Sequence, residues 1–109
     1  MNHRMRTAIA KDFFSGCLNL QLTKGKDYTT DGEVFKDLQE EALAMNVTPE
    51  VVLWIAMHKH YKAIRKYCRE GKLESSETIE SRLMDLVNYA SLIYVLKKGK
   101  GNENTNLHE

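Results

Sequence analysis

The sequence predicts an all-α fold, a compact bundle of about four helices. Three observations predict it. Apolar residues recur at three- and four-residue spacing along several separate stretches, and no stretch alternates apolar with polar residues as a strand would. The single proline, Pro49 in VTPE, sits where it opens a helix rather than breaking one. A chain of 109 residues, 42% hydrophobic and 28% charged, fits one domain with a modest core.

The first helix is expected at about residues 4–22, with Ile9, Phe13, Phe14, Cys17, Leu18 and Leu20 as its apolar positions. TKGKDYTTDG then reads as a loop ending in a cap at Thr30 or Asp31. From Glu33 to Met45 the spacing of Val34, Leu38, Ala42 and Met45 draws one apolar stripe, and Asn46 is a suitable stop. Thr48 is the expected N-cap of the next helix, Pro49 its first residue, and Glu50 suits the dipole of its first turn. That helix should run to about Arg69 and end at Gly71. KLESS is a polar connection, with Ser75 or Ser76 capping a last helix that ends at Lys97 or Lys98. The domain is therefore set at residues 1–98, and GKGNENTNLHE (99–109), which lacks apolar periodicity, reads as a disordered tail.

The bulk numbers exclude several function classes. A net charge of +1 leaves any electrostatic function to local segregation of charge. Cys17 and Cys68 match neither a metal-ligand spacing nor a disulfide framework and read as small buried apolar groups. MNHRMRTAIAKDFF lacks the apolar stretch of a signal peptide, and no segment has the roughly 18 apolar residues of a membrane span. These features predict a cytoplasmic protein without a membrane partner.

The helix from Pro49 changes character midway. VVLWIAM is apolar on every side, as in a helix through the centre of a bundle. Further on, His58, Lys62, Arg65 and Arg69 fall at i, i+4, i+7 and i+11, with Lys59 and Lys66 beside them. Such a row has three readings: a solvated face balanced by Glu74, Glu77 and Glu80, an anion site suited to phosphate, or a contact with a partner protein. His58 and His60 diverge by about 200° on a helix and make a poor pair of metal ligands.

The last helix carries Ser81, Asp85 and Asn88 along one side, with Arg82 and Tyr89 adjacent, inside an otherwise apolar run. Burying such groups without partners costs roughly 2–7 kcal/mol each. In a structural reading Asp85 pairs with a cation of the preceding helix and Asn88 bonds a loop backbone. In a functional reading both point into a polar cleft, where Asp85 holds a ligand group or Mg²⁺ through oxygen. In the loop, Lys26, Asp27 and Tyr28 offer charge and an aromatic ring that could stack on a base, although no Walker-type glycine spacing is present.

Three pieces occur in order: KDY (26–28) followed by a helix with Phe35, VLWIAMHKHYKAI (52–64) and ESRLMDLVNYASL (80–92). On these the chain resembles small phage-type helical proteins related to the MazG-like, all-α nucleoside triphosphate pyrophosphohydrolases, and their nucleotide-modification-associated relatives most of all. The resemblance covers about residues 24–96. It implies a homo-oligomeric helical bundle in the host cytoplasm that binds a nucleotide between helices, with Mg²⁺ held by two acidic motifs, E-E-x-x-E and E-x-x-D. Asp37 and Glu41 match the outer positions of the first, with Leu38 at its second position; Asp85 ends the second, but Arg82 stands in place of its glutamate. The expected metal set is thus Asp37, Glu41 and Asp85. Mg²⁺-assisted hydrolysis needs several carboxylates, so this departure weakens the case for a pyrophosphohydrolase more than the case for nucleotide binding.

The expected function is nucleotide binding, with phosphate at Lys59, Lys62 and Arg65, and with Asp85 and Asn88 orienting a base, sugar or metal. His58, Arg82, Tyr89 and the Lys26–Tyr28 segment complete the expected ligand set. The alternative is a non-catalytic oligomer that sequesters signalling nucleotides or a host defence protein. Near-neutral charge and the lack of interleaved exposed aromatics argue against a nucleic-acid partner.

Overall fold

The computed structural model describes residues 1–28, 35–73 and 76–107, with side chains described at 1–23, 35–73 and 76–99. Four helices follow one another among the described residues: α1 (His3–Tyr28), α2 (Lys36–Met45), α3 (Pro49–Glu70) and α4 (Ile79–Leu107).

Local punctuation sets the middle of the chain. Asn46 takes the left-handed conformation at φ 58°, ψ 45°, which an asparagine tolerates, and closes α2. Its N–H donates to the Leu43 carbonyl at 3.1 Å, and that of Val47 to the Ala42 carbonyl at 3.0 Å. Thr48 occupies the extended N-cap of α3 as expected, but its hydroxyl makes no capping bond. Its carbonyl instead accepts from Val51 at 3.1 Å. Gly71, at φ 75°, ends α3 with its N–H on the Tyr67 carbonyl at 2.7 Å.

The outer helices depart from expectation. α1 stays helical through Thr23–Tyr28, where a loop was expected, so Lys26, Asp27 and Tyr28 lie on helical backbone, and their side chains lie outside the described ones. The proposed caps at Thr30 and Asp31 also lie outside the described residues. α4 is capped by Thr78 rather than Ser76, while Ser75 lies outside the described residues: the Thr78 Oγ1 accepts from the Ser81 N–H at 3.1 Å, and its carbonyl from the Arg82 N–H at 3.2 Å. The helix then runs on to Leu107, past the end expected at Lys97 or Lys98.

α3 and α4 form the principal helix pair, with α2 packed on α3 and α1 on α4. Gly16 lets α1 approach closely, since a Cβ there would lie 3.1 Å from Met84 Cε. One turn on, the Gln21 amide donates to Ser91 Oγ at 3.3 Å. Among the described residues the core is thin, with Cys17, Ala42, Leu53 and Leu96 as its buried hydrophobic members. α3 is not wrapped on all sides, because Val51, Trp54 and Ile55 are exposed. The molecule is drawn out rather than compact, measuring 50 × 34 × 23 Å. No described helix is long and apolar enough to cross a membrane.

Candidate functional site

The α3–α4 seam holds a cluster of charge. His60, only 9% exposed, falls seven residues after Leu53, so the two share the buried side of α3. Facing them on α4 is Arg82, 8% exposed, whose Nη1 lies 3.1 Å from His60 Nδ1. A guanidinium has donors alone, so Nδ1 accepts and the proton of the neutral ring sits on Nε2. That nitrogen faces Asp85 Oδ2 at 3.8 Å, beyond hydrogen-bond length. Arg82 Nε lies 2.9 Å from Glu77 Oε2, but its N–H is not aimed at the oxygen, so the contact is ionic without a hydrogen bond. Burial holds the His60 pKa below the ordinary histidine value. The Asp85 charge opposes that effect, Arg82 reinforces it, and the weaker influences of Glu77 and Lys59 oppose one another. Tyr89 closes the cluster by stacking on His60, ring centroids 5.6 Å apart and planes inclined by 28°.

Beyond Tyr89 opens a groove of about 310 Å³ between three helices. α2 lends Leu38, Met45 and, as the acidic group, Glu41; α3 lends Val52, Leu53, Ile55 and Ala56. Its size lies at the lower end of the small-molecule range, and its walls are mainly apolar with few polar groups. A second hollow, beside His3, Arg4, Thr7, Ala8 and Lys11, belongs to α1 alone and has no opposing wall.

The expected cationic site divides. His58, Lys62 and Arg65 lie about 140–160° around α3 from His60 and are exposed. They do not share a hollow with Asp85 and Asn88, as the sequence reading required. His58 stacks on Tyr61 with centroids 6.1 Å apart, and Arg65 Cζ sits 5.8 Å from the Tyr61 ring centre. Lys59 and Lys62, however, follow Ile55 at i+4 and i+7, which carries them along the same edge of α3 as the groove. Asn88 is half-buried on α4, one turn beyond Asp85. Cys17 is buried, which pushes its thiol pKa up, whereas Cys68 is exposed, contrary to expectation.

The metal set also changes. Asp37, Glu41 and Asp85 do not gather; among the described residues the group with ligand atoms within 4.8 Å of one another is His60, Glu77 and Asp85. It does not fit Mg²⁺, which prefers a shell of oxygens. The Arg82 guanidinium stands inside it, Nδ1 of His60 is engaged, and Nε2 carries the proton. The structure thus brings together Arg82, Asp85 and Tyr89, adds His60 and Glu77, which the sequence reading considered but left out of the site, and leaves Asp37 outside. His60 had a legible signal in its seven-residue spacing from Leu53. The chain matches no family model, and no curated protein or solved structure shows significant similarity to it.

Proposed function

We propose that the protein binds a nucleotide, or another small phosphate-bearing molecule, without Mg²⁺-assisted hydrolysis. The observation that supports this most is the position of Tyr89, a shared wall between the apolar groove and the His60–Arg82–Asp85 cluster. In this reading a base lies against the groove wall and Tyr89, and Glu41 accepts hydrogen bonds from its amino group or from a ribose hydroxyl. The phosphates extend along α3 to Lys59 and Lys62. Arg82 is already committed to His60 and Glu77, and orients the Tyr89 wall through His60 rather than touching phosphate.

Titration calorimetry with ATP, ADP, adenosine and inorganic phosphate, each with and without Mg²⁺, tests the reading. Nucleotide binding should persist without Mg²⁺ and release no pyrophosphate. Tyr89→Ala should weaken nucleotide and nucleoside alike, and Lys62→Ala the nucleotide alone. Absence of heat and of any melting shift with all four compounds refutes it.

One observation favours a second reading. Trp54 and Tyr61, 61% and 49% exposed, interleave with His58, Lys62 and Arg65 on the outer face of α3, the pattern of aromatic stacking beside cations used for single strands. Salt-sensitive quenching of Trp54 fluorescence by an oligonucleotide, unaffected by Tyr89→Ala, would replace the nucleotide groove with that face.

A further inference from the structure

The first helix holds a surface that the chain itself leaves uncovered. α1 spans 26 residues, yet every residue from 1 to 9 is exposed, and among its described side chains Cys17 is the one buried hydrophobic residue. The helix meets the bundle at α4, where the Gly16–Met84 approach and the Gln21–Ser91 bond lie. Helical stability in proteins comes mainly from packing of an apolar face. Here Phe14, Leu18 and Leu22, at i, i+4 and i+8, form an apolar row that is exposed instead.

Surface area says how much is missing. The chain exposes 8588 Å², whereas a folded monomer of 12.6 kDa exposes about 6,200 Å². The excess, about 2,400 Å², belongs to the whole drawn-out chain, and it exceeds the roughly 1,000 Å² per copy at which obligate homodimer interfaces begin. The radius of gyration agrees: it is 16.6 Å, against about 13 Å for a compact domain of this length.

Charge says what covers the row. FFSGCLNLQLT, residues 13–23, contains no charged residue in a chain that is 28% charged. Interface cores are depleted of charge in this way. A neutral patch can also meet its own copy across a two-fold axis without like-charge repulsion. Ser15 and Asn19 flank the row, and the described cation in line with it, Lys11, lies one turn before Phe14, outside the neutral patch. We propose that the Phe14–Leu18–Leu22 face of α1 is the interface on which a second copy of this chain seats. The inference is independent of what the groove binds.

Sedimentation equilibrium and light scattering of the full chain at micromolar concentration test it. The expected mass is at least twice that of one chain, falling to one chain in Leu18→Glu and Leu18→Gln. Leu43→Glu, at a residue 81% exposed on α2, should leave the assembly intact. A wild-type chain that is monomeric at all concentrations overturns the proposal, as does an unchanged mass in the folded one of the two Leu18 variants. Monomers that float with anionic lipid vesicles would assign the face to a membrane surface and overturn it equally.

Discussion

Replacing Arg82 by methionine isolates the contribution of one guanidinium to the α3–α4 seam. Methionine keeps most of the apolar stem, so the change is mainly one of polar contacts. Loss of the 3.1 Å donor leaves a buried His60 nitrogen unsatisfied, at a cost of about 1–3 kcal/mol. The Glu77 contact adds little, because the Glu77 side chain is 48% exposed and such pairs contribute about 0–1 kcal/mol. Arg82→Met should therefore cost about 1–3 kcal/mol, or roughly 5–20 °C in Tm, while Glu77→Gln costs less than about 1 kcal/mol. The assay is urea unfolding at one fixed protein concentration, since assembly would make stability concentration-dependent. A double-mutant cycle with His60→Leu adds the decisive number. Direct contact predicts a coupling of at least about 0.5 kcal/mol, whereas independent sites add to within about 0.3–0.5 kcal/mol. A strictly additive cycle, or a Glu77→Gln cost larger than that of Arg82→Met, would refute the assignment of Arg82 as the centre of the cluster.

The remaining expectations concern other parts of the molecule. His60 has a folded pKa below its unfolded value, so its neutral form is fully tolerated above pH ~6.5 and stability is lost as pH falls from there toward the folded pKa. The difference in unfolding free energy between wild type and His60→Leu should narrow over that window, by at most about 1.4 kcal/mol per pH unit, the slope of one proton. A pH-independent difference contradicts it. Gly16→Ala should be neutral or stabilising by up to about 1 kcal/mol in thermal unfolding, because the atom it crowds is the flexible end of Met84; Gly16→Leu should destabilise. Ellman's reagent should label Cys68 rapidly and Cys17 only on unfolding, since Cys17 is buried with a raised pKa and Cys68 is exposed.

Where single residues dictate backbone geometry, the sequence was readable. Asn46, Pro49 and Gly71 each bound a helix within a residue or two of the expected place. Glycine within a helix misled: Gly25 and Gly99 sit inside helical backbone, because a helical glycine costs only about 1 kcal/mol and forbids nothing. Asp85 and Arg82 stood out as polar groups in an apolar helix, and both prove to be in the cluster. His60 was hidden by comparison with the wrong neighbour: measured against His58 it diverges, but against Leu53 it falls on the buried stripe. The groove could not be read at all, since it exists only through the relative placement of α2, α3 and α4. The exposure of Trp54 was likewise invisible, because an apolar run such as VVLWIAM looks the same on a central helix as on one with an open side.

The presence of an aspartate in the apolar run MDLVNYASLIYVL now has a physical account, and it bears on hydrolysis. Asp85 faces His60, and Arg82 stands between that histidine and Glu77. With His60 neutral, the four side chains sum to about one negative charge, so the guanidinium performs much of the neutralisation that a divalent ion would otherwise supply. A metal entering there would have to displace Arg82 from His60, shift the ring proton off Nε2, and tolerate a fixed positive charge at ion-pair distance. Each step opposes binding, and together they favour a cluster that stiffens the seam and presents Tyr89 to the groove. Along the outer edge of α3, by contrast, Lys59 and Lys62 are exposed and lie within two turns of Ile55 at the groove wall. The seam thus keeps a small net negative charge with its guanidinium engaged, while the exposed positive charge of α3 lies at the rim, so an anion would meet the rim rather than the seam.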